Sequence, residues 1–498
     1  MRNCIMYSPR RKVLWFAIVS RGAILILQTI FNALIRDHHA DAFKRPLNFA
    51  EKVGSQWDQI IYFLFNGLTR WDGEYFLHIA KYGYTYENTI AFYPLYPALI
   101  RIIAIALTNI FPVLNSQNSM IVAATFINFL CFVKSALILY DLSVYVFQDT
   151  VTAYKAAILY CINPASIFFS AVYSESIFAY LTFYTMLSSM KYTSTIYFPL
   201  ALSILTRSNG IVNIGFPIYF GLKDWCNSVS KEIQKHKQKR NISYIFKLIT
   251  LKNCFTILST IIISLSPFFL LQIYNYIKFC TSTFDKSLLP VHVLQYATEN
   301  NLVLPGMTGS IWCNATIPLA YSYVQKTYWN VGFLRYYQFK QIPNFILACP
   351  ILFIMLQCIK EFACEYKDEL YLLGLFDNKR KNGNATKVKK YPLNMFVFVV
   401  HGLFLTMICL FFTHIQVSTR LLASASPLIY WYCALSMSHK YINHIDLRYE
   451  NEENIGSKWK VFFLSQKQYT LQDKLVLFYF IGYAIIGCLL FSNFLPWT

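Results

Sequence analysis

Charge is scarce in this chain. Of its 498 residues only 14% are Asp, Glu, Lys or Arg, where a soluble globular chain carries about 25%. Acids are the scarcer half, 24 against 44 lysines and arginines, for a formal net charge of +20. A single water-soluble core is excluded, because it would have to bury 43 Phe and 37 Tyr while leaving little polar surface for water. Disorder is excluded by the 56% hydrophobic content, since disordered chains lack apolar residues. The thirteen cysteines contain no CxxC pair, which removes zinc-ribbon and thioredoxin-like readings. No Gly-rich phosphate loop, GxSxG elbow or Rossmann fingerprint occurs. His38, His39, His78, His292, His401 and His414 show no paired spacing, so no metal site is expected of them.

What is present is apolar sequence in blocks near the ~20 residues that a membrane span needs. The first runs from Val13 to Ile35, too long for a signal peptide's apolar region and without a convincing cleavage site, and reads as a retained span. Others follow at Ile90–Phe111, Met120–Tyr140, Ala153–Ala171, Ser176–Met190, Ile196–Leu222, Phe255–Ile277, Ile342–Ile359, Met395–Phe412, Val417–Leu435 and Leu475–Phe494. The expected fold is an all-α polytopic membrane protein, one domain over 1–498. Its positive charge lies in short segments between the apolar runs, which suits the positive-inside rule and not a nucleic-acid-binding face.

Lys/Arg bias sets the expected orientation. The basic N-terminus and the connectors 223–252, 360–390 and 439–474 belong in the cytosol. Residues 36–88 and 278–341 then form two long loops on the other side. Cys280 and Cys313 can pair there if both face an oxidising lumen, although two free thiols is the plainer expectation.

The densest polar and aromatic cluster is RWDGEYFLHIAKYGYTYENTIAFYPLYP, Arg70 to Pro97, which holds Trp71, Asp72, Glu74 and Glu87. Asp72 and Glu74 point apart on a helix and share a side on a strand. Charges inside apolar runs are informative, because each must find a partner, a water-filled cavity or the interface. Arg101, Glu175, Arg207 and Arg420 are of this kind. Glu175 follows the Asn163-Pro164 break, which makes either a cytosolic end or a short re-entrant turn. Salt bridging between helices and a polar cavity with cations for an anionic headgroup both account for these charges.

The Arg70–Pro97 segment resembles the signature of the PIG-V family of GPI mannosyltransferases. So do NPASIFFSAVYSESIFAYLTF (Asn163–Phe183), LTRSNGIV (Leu205–Val212), YWNVGFLRYYQFKQIPNFILA (Tyr328–Ala348), HIQVSTRLLASASPLIYW (His414–Trp431) and NFLPWT (Asn493–Thr498). These blocks stand in family order over nearly the whole chain. The resemblance implies a GT-C glycosyltransferase, a multi-span helical bundle in the endoplasmic reticulum membrane with a lumenal site. Its donor is then dolichyl-phosphate mannose, and its acceptor is the mannosylated GlcN-acyl-phosphatidylinositol GPI precursor, which receives its second mannose through an α-1,6 bond. Asp72 falls on the family's first-loop acid and is the catalytic candidate. Arg420, then Arg207 and Lys340, are candidates to hold the donor phosphate, with Trp71, Glu74, Glu87, Glu175 and Arg335 as further substrate contacts. No cofactor and no metal are implied. A transporter or lipid scramblase is the alternative, against which stand the acid-bearing first loop and the lack of paired broken halves; a second is a GT-C mannosyltransferase with another acceptor.

Orientation has a direct check in three N-x-S/T sequons, Asn241, Asn314 and Asn384. Only Asn314 is expected in the lumen. Endoglycosidase should shift at most one glycan, and Asn314→Gln should abolish that shift; a glycan on Asn241 or Asn384 reverses the orientation.

Overall fold

Hydrocarbon offers no water to backbone amides, so apolar blocks pair their own amides as helices. The computed structural model describes residues 8–46, 54–193, 195–235, 242–282, 287, 289–306, 309–375, 389–437, 461, 463 and 469–497. Seventeen α-helices run through them: α1 (Pro9–Leu34), α2 (Gln56–Phe65), α3 (Asp72–Tyr82), α4 (Leu95–Ile110), α5 (Ser116–Phe147), α6 (Thr150–Cys161), α7 (Glu175–Met190), α8 (Tyr197–Thr206), α9 (Gly215–Lys235), α10 (Ile242–Cys280), α11 (Val291–Glu299), α12 (Ala320–Trp329), α13 (Ile342–Glu365), α14 (Phe396–Phe411), α15 (Ser418–Ala425), α16 (Leu428–Ser436) and α17 (Leu471–Ser492). Among the described residues no strand forms. α1, α5, α10, α13 and α17, and α14 together with the 3-10 turn Leu393–Met395 before it, are each long and apolar enough to cross a bilayer, as in a multi-pass membrane protein.

Four expected spans are broken by their own sequence. The Ala153–Ala171 run leaves the helix after Cys161, where Pro164 prevents its continuation, and helix resumes only at Glu175. Ile196–Leu222 is parted between α8 and α9 by a 3-10 turn, Ser208–Ile214. Gly210 permits that turn, since a Cβ there would drive into the Ser203 carbonyl. Val417–Leu435 splits at Ser426-Pro427 into α15 and α16. The Ile90–Phe111 run keeps only the 16 residues of α4.

α5 lies at the centre, packed against α1, α4, α6 and α7. Residues 163–174, non-helical and fully buried, run beside it. Polar side chains reach into this stretch to pair its backbone. Arg21 of α1 donates to Ser166 O at 2.8 Å, Ser170 Oγ at 3.1 Å and Cys161 O at 3.2 Å, and its guanidinium lies 3.8 Å over the Phe132 ring. Asn128 of α5 donates to Tyr173 O at 3.1 Å and to Ala171 O.

The two long polar segments, 36–88 and 278–341, touch each other through Glu87. Its buried carboxylate accepts from Ser310 Oγ, from Trp312 Nε1 at 2.8 Å and from Tyr328 OH at 2.8 Å. A disulfide between Cys280, at the end of α10, and Cys313 fastens the same region. The expectation of two free thiols is thereby corrected: α10 ends where the 311–314 turn returns, with Cα atoms 5.5 Å apart, within bonding reach. Asn314 follows directly and is exposed. Asn241, Asn384 and much of the basic sequence expected in the cytosol lie outside the described residues.

The disulfide closes a separation of 33 residues, worth about 3–4 kcal/mol by chain entropy. Cys280→Ser and Cys313→Ser should each lower the melting temperature of the solubilised protein, and the double variant should lower it no further than either single one. A melting curve unmoved by reductant would count against the bridge.

Candidate active site

α3 begins at Asp72, a residue expected in a loop. Asp72 and Glu74 in its first turn suit the helix dipole, and Gly83, at φ 74°, ends it in a conformation that side chains resist. Trp71 just before it has φ 55°, so the chain turns sharply between Arg70 and Asp72. The free Asp72 N–H donates to Tyr173 OH at 3.0 Å, which supplies a partner that helix N-termini otherwise lack.

Asp72 is the open end of a chain of alternating charges. Arg420 of α15 donates to its Oδ2 at 2.8 Å, and the same guanidinium nitrogen lies 3.5 Å from Glu175 Oε1. Arg207, at the end of α8, donates to that Glu175 oxygen in turn. The Glu175 side chain has no exposure, those of Arg420 and Arg207 have 14% and 16%, and that of Asp72 has 28%. Two cations thus hold one buried carboxylate, and one more carboxylate opens outward. Arg420 lies over the rings of Tyr173 and Phe168, 5.2 and 5.4 Å from their centroids. Arg420 Nε, Glu175 Oε2 and Trp71 Nε1 are buried with no hydrogen-bond partner among the described residues.

Asp72, Glu175, Arg207 and Arg420, far apart in sequence, therefore meet. The non-helical stretch 163–174 brings Glu175, at the start of α7, to the arginine that Asp72 also pairs with. Trp71 adjoins the group, its ring edge-on to Phe494 at 5.9 Å. Glu74 turns away, as the helical spacing requires, to pair with Arg45 Nε at 3.3 Å. Glu87 is committed to the 278–341 segment by the contacts given above. Arg335 is exposed and donates to Asn330 Oδ1 at 3.2 Å, and Lys340 is exposed; neither pairs with an acid of the group. Arg101 is exposed on α4. Tyr173 and Phe168 were missed by sequence reasoning, because an aromatic residue inside an apolar run carries no chemical signal there.

Among the described residues no three His, Cys, Asp or Glu side chains gather as metal ligands would. His78 is a core residue: Nε2 lies 2.6 Å from Thr85 Oγ1, and burial, aided by Arg45 and His292, pushes its pKa down to about 3.

A family profile described as Mannosyltransferase (PIG-V) matches residues 10–498. GPI mannosyltransferase 2 of Drosophila melanogaster is 36% identical over 495 residues, covering 98% of this chain and 99% of its own. GPI alpha-1,6-mannosyltransferase 2 of Mus musculus is 34% identical over 510 residues, 99% of this chain and 100% of its own. The Homo sapiens protein of that name is 32% identical over 507 residues, with 98% and 99% covered. No solved structure matches.

Glu175 and Asp72 differ in a way that substitution can read. Glu175→Gln leaves two largely buried guanidiniums without their shared counterion, a loss of about 3–5 kcal/mol. Asp72→Asn acts at a part-exposed end of the chain and should cost far less. Thermal unfolding in detergent should separate the two; equal melting temperatures would show that Glu175 is not the structural anchor of the group.

Proposed function

The chain belongs to the PIG-V mannosyltransferase family, and from the site it carries we propose that Asp72 is the base of a mannosyl transfer from dolichyl-phosphate mannose to the GPI precursor. It is a GPI mannosyltransferase, a glycosyltransferase of GPI-anchor biosynthesis. The acceptor is the precursor that already bears one mannose, and the new bond is α-1,6. The setting is the endoplasmic reticulum membrane with the site in the lumen. A disulfide 33 residues in span supports that side, since such bonds persist in oxidising compartments.

One observation carries the reading: an accessible carboxylate stands beside two arginines that a buried glutamate holds in place. A β-linked donor and an α-linked product require one displacement. The acceptor hydroxyl oxygen bonds to the anomeric carbon, the carbon–oxygen bond to phosphate breaks with its electron pair leaving on dolichyl phosphate, and the hydroxyl proton passes to Asp72. That step needs one base and no covalent nucleophile of the kind two close carboxylates provide. The departing phosphate is already an anion, so it needs cations fixed in advance. Arg420 is first in place to meet it, with Arg207 behind. A guanidinium offers phosphate a planar fork, and Glu175 keeps both from collapsing onto other acceptors.

Arg420 also positions the base, donating to Asp72 Oδ2 at 2.8 Å. Tyr173 keeps the Asp72 backbone in place throughout by accepting its N–H.

The test is a microsomal assay with radiolabelled dolichyl-phosphate mannose and a one-mannose GPI precursor. Wild type should add one mannose. Asp72→Asn should reduce transfer about 10²–10⁴-fold per mole of inserted protein, with both substrates still bound. Glu74→Gln, facing Arg45, should be milder. Wild-type turnover in Asp72→Asn would remove Asp72 as base, and donor translocation without transfer would favour a transporter.

A further inference from the structure

Transfer between two lipids involves two phosphates, and the arginines around Glu175 account for one. The acceptor, linked through phosphatidylinositol, brings the other. Two residues before Asp72, Arg70 lines a second basic recess, an open cavity of about 550 Å³ between the end of α1, the following residues and α2. Arg36 lines it, exposed and without a carboxylate partner among the described residues. Arg70 forms its back wall. It is fixed there by donating from Nε to Ser492 O at 3.1 Å, by the Asp37 carboxylate at 2.8 Å and by the Phe494 ring, 4.5 Å below the guanidinium. Asn32 donates to the same Ser492 carbonyl at 3.2 Å, which fixes that wall to α17.

We propose that this cavity holds the phosphodiester of the acceptor lipid, an inference that rests on the transfer reaction proposed above. Charge fits the ligand. Two guanidiniums against one carboxylate leave a single positive charge, and a phosphodiester carries a single negative one. The mouth fits a lipid: Leu34 and Phe63 of the lining are 77% and 60% exposed. α2 also exposes Trp57 and Ile60, the character of a helix lying in a membrane interface.

Position relative to the base fits the rest of the acceptor. Arg70 and Asp72 are two residues apart, at most about 7 Å of chain, and the turn at Trp71 separates their side chains. A phosphate in the Arg36–Arg70 recess is thus offset from the base, since Arg70 pairs with Asp37 and Ser492 O while Asp72 pairs with Arg420. The acceptor has inositol, glucosamine and mannose between its phosphate and the reacting hydroxyl, so some such offset is required. A donor phosphate, joined directly to the reacting carbon, has no use for it.

Arg36 is the residue to change, because Arg70 also supports the fold. In the microsomal assay Arg36→Gln should raise KM for the GPI precursor about tenfold, the loss of one charge-assisted contact, with KM for dolichyl-phosphate mannose unchanged. Arg36→Lys should recover most of the loss. A rise in donor KM instead, or no change in either, overturns the proposal. A second arm needs no catalysis: native mass spectrometry of the solubilised full chain with phosphatidylinositol or with inorganic phosphate. Wild type should retain phosphatidylinositol and Arg36→Gln should lose it. Equal retention by both proteins, or phosphate competing at the lipid's own concentration, overturns the assignment to a lipid. If wild type transfers no mannose at all, the reaction proposed above fails, while this binding arm still decides the cavity.

Discussion

A chain that leaves the helix while buried in an apolar bundle must have its carbonyls and amides paired from within the protein. Residues 163–174 are under that constraint, and much of the molecule is arranged to meet it. Arg21 and Asn128 answer it from two long helices. Arg21 is a buried cation whose four hydrogen bonds run to carbonyls and hydroxyls. Its charge is thus matched by the dipoles of the broken helix and by an aromatic face. The same break allows α7 to start with Glu175 beside α15.

From that placement the electrostatics follow in order. Glu175, fully enclosed, demands cations, and Arg207 and Arg420 come from two separate breaks in helical sequence. One is the Gly210 turn after α8; the other is the short α15 ahead of Ser426-Pro427. Each of these interruptions looks like a flaw in a membrane span. Together they set three charged groups around one point and leave the outer carboxylate, Asp72, accessible. Arg420 couples the outer acid to the buried one, so the geometry of Asp72 is fixed through a contact it does not itself make.

Much of this was legible in the sequence. The scarcity of charge and the length of the apolar runs established a helical membrane protein, and charges inside those runs named Glu175, Arg207 and Arg420. Pairing was not legible, because nothing in the local sequence around Glu175 says which arginines will reach it. The breaks were harder still. Pro164 was an open signal, yet hydropathy alone reads straight through Arg207–Ile214 and Ser426-Pro427, where the turn residues are few and the neighbours apolar. Glu87 was legible as a carboxylate in a polar aromatic cluster, but its partners Ser310, Trp312 and Tyr328, more than 200 residues on, were not. Cys280 and Cys313 carried too little information to pair until the return of the chain at 311–314 was seen.

The separation of Asp72 from Arg420 bears on how the protein is made. These partners are 348 residues apart, and ribosomes add about 5–20 residues per second. Asp72 therefore emerges about 17–70 s before its cation exists. Glu87 waits in the same way for Trp312, 225 residues later. During that interval two acids stand without their partners on a nascent chain already threading into the bilayer. Assembly of the site is consequently among the late events of biogenesis, and a ribosome stalled before α15 leaves Asp72 still without its cation.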